Sequence, residues 1–254
     1  MKRGTLLFVK IGLVLCSLLS GSIVNAEDRA LHSVWGALLE VHVKNGVVDY
    51  QGFKKDEGVL DGYLDTLNRT DPADLSDDER LAFYINAYNA YTVKLILDNF
   101  SDGKPPSSIR KIGGFFTNPW KLKIAGINGE KITLDDIEHG IIRVEFDEPR
   151  IHFSVNCASI SCPPLLSEPY LGETIDAQLT MATKAFLADR EFNYLEGNNL
   201  YISSIFKWYG EDFEGGPVPF FLKYTSGDIQ QKLESAGDSI RVKYLDYDWS
   251  LNNK

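Results

Sequence analysis

The sequence predicts an α+β fold, a helix-rich N-terminal half packed on a small, mostly antiparallel sheet. Three observations point there. Apolar stripes at helical spacing dominate the first hundred residues. Short extended runs around Asn-Gly and Gly-Asn turns come later. Strands and helices do not alternate in the regular way that a doubly wound sheet requires.

Residues 1–26 read as a secretory leader: Met1-Lys2-Arg3 is basic, Leu6 to Leu19 is mostly apolar, and Val24-Asn25-Ala26 supplies a small-residue cleavage site. The apolar run falls short of the roughly 20 residues a spanning helix needs. Leu15, before Cys16, is too large for the position that precedes a lipidated cysteine. The expectation is an exported protein, periplasmic or secreted, with no integral membrane segment after cleavage and one domain over residues 27–254.

The first helix carries Leu31, Val34, Trp35, Leu38 and Leu39 on one face and ends at Asn45-Gly46. Val47 to Tyr50 is extended. A second helix is expected from Glu57 to Leu67. The third, from about Asp77 to Asn99, opens on a Ser76/Glu79 capping box, which satisfies free amides at the helix start. Asn86 and Asn89 interrupt its apolar surface. A buried amide is costly unless paired, so both must bond something specific. Residues 101–119 read as a loop. Asn128-Gly129 predicts a hairpin, and Thr133 with Asp136 boxes the start of a helix carrying Leu134, Ile137 and Ile141, with Glu138 and His139 beside them.

Arg150 to Asn156 alternates and predicts a strand, with Ile151, Phe153 and Val155 on one face and His152, Ser154 and Asn156 on the other. It breaks at Cys157, before Ala158 to Pro164. A helix from about Thr174 to Asp189, a hairpin around Gly197-Asn198-Asn199, an aromatic segment from Ser204 to Phe213, helices at 219–224 and 227–235 and a strand at 240–247 complete the chain.

Hydrophobic residues make up 44% of the chain, enough for a substantial core. The 36 acidic against 26 basic residues argue against nucleic acid as a partner. The expected partner is a small molecule or a peptide. No nucleotide fingerprint occurs, and no cofactor is called for.

Two cysteines remain beyond the leader, Cys157 and Cys162. In an oxidising compartment a lone pair tends to form a disulfide; that alternative gives a non-catalytic binding or scaffold domain. The other is a thiol site. A free thiol is mostly protonated at neutral pH, and a neighbouring imidazolium stabilises its thiolate. His152 and His139 are equal contenders for the base, with Glu138 as the carboxylate that fixes an imidazole tautomer. On a regular strand, His152 and Cys157 would face opposite sides unless the chain turns just before the cysteine. No peptidase cysteine signature matches. Two histidines, a glutamate and a thiol can also bind zinc, but no pair is spaced to pre-arrange the ligands, so no metal is expected.

Several blocks together resemble the domain of unknown function 547 family. They are Leu81-Ala82-Phe83-Tyr84-Ile85-Asn86-Ala87-Tyr88-Asn89-Ala90, Asp136-Ile137-Glu138-His139 with Arg143, Arg150 to Ser159, Cys162-Pro163-Pro164-Leu165, and Phe206-Lys207-Trp208-Tyr209 with Asp212-Phe213. The likeness runs from about Val47 to Tyr224. It implies an exported bacterial protein of unestablished activity and a papain- or transglutaminase-like architecture, which suits a cysteine enzyme acting on amide bonds. In that reading Cys157 attacks, His152 or His139 relays the proton, Glu138 orients, and Asn86 or Asn89 donates to the oxyanion. Papain-like enzymes differ in placing the cysteine at the start of a helix.

Overall fold

The structure, a computed structural model, describes residues 26–114 and 117–254. The expected leader therefore lies outside the described residues, apart from Ala26. The fold is α+β, with small sheets set among helices.

Helix α1 occupies residues 26–42. It runs into the hairpin β1 (Val43–Lys44) and β2 (Val47–Val48), whose turn residues Asn45 and Gly46 have φ of 52° and 79°. Positive φ at both central positions is what a tight hairpin needs and what Asn-Gly tolerates. Helices α2 (Tyr50–Lys55) and α3 (Glu57–Arg69) follow. Helix α4 (Asp77–Asp98) opens on the expected Ser76/Glu79 capping box. From Leu81 to Val93 every α4 residue is buried, so this helix is an axis enclosed on all sides. Strands β3 (Ala125–Ile127) and β4 (Glu130–Ile132) pair around Asn128-Gly129.

Thr133 and Asp136 exchange backbone-to-side-chain bonds of 2.9 Å, the second expected box. The helix behind it is wider than predicted: Asp136–Ile142 is π-wound before one α-turn, α5 (Arg143–Glu145). Its buried apolar residues are Ile137 and Ile142, and Glu138 is buried with them. Single π-turns inside helices recur at functional sites.

The predicted strand at 150–156 does not form. Pro149–Phe153 is a 3-10 helix, with Pro149 in its first turn and the Glu148 carboxylate accepting from the Arg150 amide at 3.0 Å. The alternation misleads because Ile151, His152 and Phe153 are all buried. Two apolar clusters flank the segment: Ile151 and Val155 belong to the larger one around α4, and Phe153 to a second one containing Phe186, Phe206 and Phe221.

Helix α6 (Ile175–Ala188) and the hairpin β5 (Tyr194–Glu196) and β6 (Asn199–Ile202) match expectation. Helix α7 (Ile205–Trp208) leads through a 3-10 turn at Gly210–Asp212 to α8 (Pro217–Tyr224) and α9 (Asp228–Ala236). Strand β7 (Arg241–Tyr244) adds parallel to β6. Residues 245–254 then return as an irregular strap. Ile160 N donates to Ser250 O (2.8 Å), Asp248 N to Ser161 Oγ (2.9 Å) and Leu251 N to Ser107 O (3.0 Å). Among the described residues, no helix is long and apolar enough to cross a membrane.

Candidate functional site

A cleft of about 220 Å³ lies where the π-wound helix, the 3-10 segment, α7 and the C-terminal strap converge. Of the residues singled out in the sequence, Glu138, His139, His152, Cys157 and Cys162 all line it. Asn86 and Asn89 do not. Asn86 donates to Tyr170 O (2.7 Å) and accepts from Tyr170 N (3.0 Å); Asn89 donates to Ser154 O (2.9 Å) and accepts from Asn156 N (2.8 Å). Both amides are buried and tie α4 to backbone, which corrects the expectation of an oxyanion donor from either.

The disulfide alternative is also corrected. Both thiols are free, and the Cys157 backbone amide donates to the Cys162 sulfur at 2.7 Å. No strand carries Cys157. The chain turns immediately after it, through Ala158 in the left-handed region (φ 58°), an uncommon conformation for a residue with a Cβ. Asn156 holds that turn by accepting from the Ala158 amide at 2.9 Å.

The Cys157 sulfur is bonded to hydroxyls rather than to an imidazole: Ser159 Oγ lies at 3.1 Å and Tyr247 Oη at 3.2 Å. Burial pushes its pKa up, but hydrogen bonds involving Cys162, Ser159 and Tyr247 outweigh this and bring it below the ordinary thiol value. Cys162, fully inside, is pushed well above that value by burial. Cys157 is therefore the thiol that ionises first. Burial and the two nearby sulfurs raise the Tyr247 phenol, which stays protonated and able to donate.

His152 is buried, and its Nε2 sits 2.5 Å from Asp212 Oδ2. Arg143 grips the same carboxylate with two bonds, Nε to Oδ2 at 2.6 Å and Nη2 to Oδ1 at 2.7 Å. Burial alone would raise the Asp212 carboxyl; the His152 and Arg143 bonds hold it well below the usual carboxylate range. An ionised carboxylate only accepts, so Nε2 of His152 carries a proton and its Nδ1 presents a lone pair when the ring is neutral. That Nδ1 is buried and unpartnered among the described residues.

His139 has the opposite polarity. Arg143 Nη1 donates to its Nδ1 at 3.0 Å, and since a guanidinium has no acceptor, the proton of the neutral ring sits on Nε2. Glu138 does not orient either imidazole, contrary to expectation: it accepts from the Tyr209 hydroxyl at 2.8 Å. The Tyr209 ring in turn stacks on His152, with centroids 4.0 Å apart.

Sequence reasoning missed Asp212, Arg143, Ser159, Tyr209 and Tyr247 as site residues. Arg143 and Asp212 stand in the quoted blocks, but 60 positions separate His152 from its carboxylate, and no local spacing links them. Tyr247 arrives on the strap, 90 positions from the sulfur it touches.

No curated protein and no solved structure matches the chain. Residues 72–187 match the family described as protein of unknown function, DUF547. The matched span holds α4, both cysteines and both cleft histidines, and ends before Asp212 and Tyr247. Over that span the chain is similar to the DUF547 family.

Proposed function

We propose that this protein is a thiol-dependent hydrolase or acyl transferase acting on amide bonds in the cell envelope, the extracytoplasmic setting resting on the leader-like residues 1–26. One observation supports this reading above the rest. Asp212 fixes the His152 proton on Nε2 and leaves its buried Nδ1 unpartnered among the described residues, and His152 and Cys157 line the same cleft.

Cys157 passes its proton to His152 Nδ1, and its sulfur attacks the amide carbon. The C–N bond then breaks, the amine leaves with the proton from His152, and water or a second amine resolves the thioester. His139 Nε2–H is the hydrogen-bond donor suited to the developing oxyanion. Attack requires the sulfur to turn from its hydroxyl partners toward His152, a tightening common when substrate binds.

The test is turnover of a library of peptide and simple amides by the chain beginning at Glu27. Cys157→Ser is expected to lose activity by about a thousandfold or more, and Cys162→Ser to keep most of it. Equal activity of Cys157→Ser and the unmodified chain would dismiss the reading.

A further inference from the structure

The cleft holds more carboxyl groups than thiol chemistry uses. Asp135 lines it half-buried, and its side chain caps no amide and forms no ion pair among the described residues. Glu138 is buried and, among the described residues, accepts only the neutral Tyr209 hydroxyl. Just outside, Arg143 neutralises both Glu211 and Asp212. Among the described residues the two cleft carboxylates have no such cation, and a carboxylate withdrawn from water without one is costly. His152 Nδ1, buried and unpartnered in the same lining, is a third acceptor.

The cleft lining is also aromatic. Trp120, Trp208 and Trp249 belong to it, and Trp208 is 46% exposed. Trp208 and Trp249 stack with centroids 5.7 Å apart. The Arg110 guanidinium already lies 5.2 Å from the centre of the Trp249 ring, so this cluster accommodates a cation on one face. Among the described residues, no lysine or arginine lines the cleft.

We infer that the cleft binds a small organic ammonium group, held between the Asp135 and Glu138 carboxylates and the tryptophan faces, and that its substrates are amides carrying a protonated amine. The amide half rests on the thiol reading above; ammonium binding does not require the sulfur.

The experiment titrates the full chain carrying Cys157→Ser with butylammonium chloride at low ionic strength, with butanol and sodium butyrate as size-matched controls. Tryptophan emission and calorimetry report binding. Butylammonium is expected to saturate with an affinity at least about tenfold above either control. Asp135→Asn, which keeps shape and loses charge, is expected to weaken it about tenfold; Trp208→Ala, at an exposed position, is expected to weaken it while leaving the circular dichroism unchanged. Butyrate or butanol binding as tightly, or Asp135→Asn leaving the affinity unchanged, would overturn the inference. Ammonium binding without turnover of any amide would remove the thiol reading and leave this inference standing. Uncharged amides turned over as fast as aminated ones would do the reverse.

Discussion

Arg143 sets the protonation pattern of the site at the level of single atoms. Its guanidinium, which can only donate, touches His139 Nδ1 and both oxygens of Asp212. One neutral histidine is thereby left with an Nε2 donor and the other with an Nδ1 acceptor. Asp212→Asn removes the charge that holds His152 Nε2–H, and the proposed activity is expected to fall about 10²–10⁴-fold, measured as kcat/KM on the best amide found. Tyr247→Phe deletes a hydroxyl that holds the Cys157 pKa down. The expected result is a rise in the thiol pKa, read from thiolate absorbance against pH. The residues nearest the chemistry were legible as types: a cysteine, two histidines and a carboxylate within twenty positions. Their pairings were not. Glu138 lies next to His139 in sequence but bonds Tyr209, because a residue and its neighbour on a helix point in different directions.

At the scale of elements, what the sequence predicted best was whatever short-range rules govern. Both capping boxes and the Asn128-Gly129 hairpin depend on residues within three or four positions, and all three form; the hairpin at Asn45-Gly46, read only as the end of a helix, forms by the same turn chemistry. Asn86 and Asn89 were legible as amides that must be bonded, though not to what. Their partners, Tyr170 and the backbone at Ser154 and Asn156, lie 65 to 84 positions away. Asn89→Ala would strand a buried carbonyl and a buried amide at the segment that carries His152. It is expected to cost about 3 kcal/mol in urea unfolding, against about 1 kcal/mol for Ser76→Ala at the cap. The strand reading of 150–156 failed for a physical reason. Period-two alternation separates two faces only when one of them meets water, and here a core lies on each side: Phe153 enters one, Ile151 and Val155 the other.

The whole molecule adds the strap at 245–254 and the balance of charge. The strap brings Tyr247 and Trp249 to the cleft and bonds the loop that holds Cys157 and Cys162. The site is therefore assembled from widely spaced parts of the chain, some of them beyond the matched family span. Stability should share the electrostatics of the site. Asp212 has a folded pKa below its unfolded value near 4, so its contribution is fully present above that value and is lost as the pH falls through the lower folded value. Asp212→Asn is expected to be less stable than the parent at pH 7, with the gap closing in acid, as read by urea unfolding across pH. The account turns on Cys157 being the readily ionised thiol, in reach of an imidazole. The most direct measurement is the rate of Cys157 alkylation by iodoacetamide as a function of pH, resolved from Cys162 by mass spectrometry, in the parent and in His152→Gln. The account predicts that Cys157 reacts ahead of Cys162 with an apparent pKa below the ordinary thiol value near 8.5, and that His152→Gln changes this profile. A Cys157 that reacts no faster than Cys162, or whose profile is indifferent to His152, would contradict it.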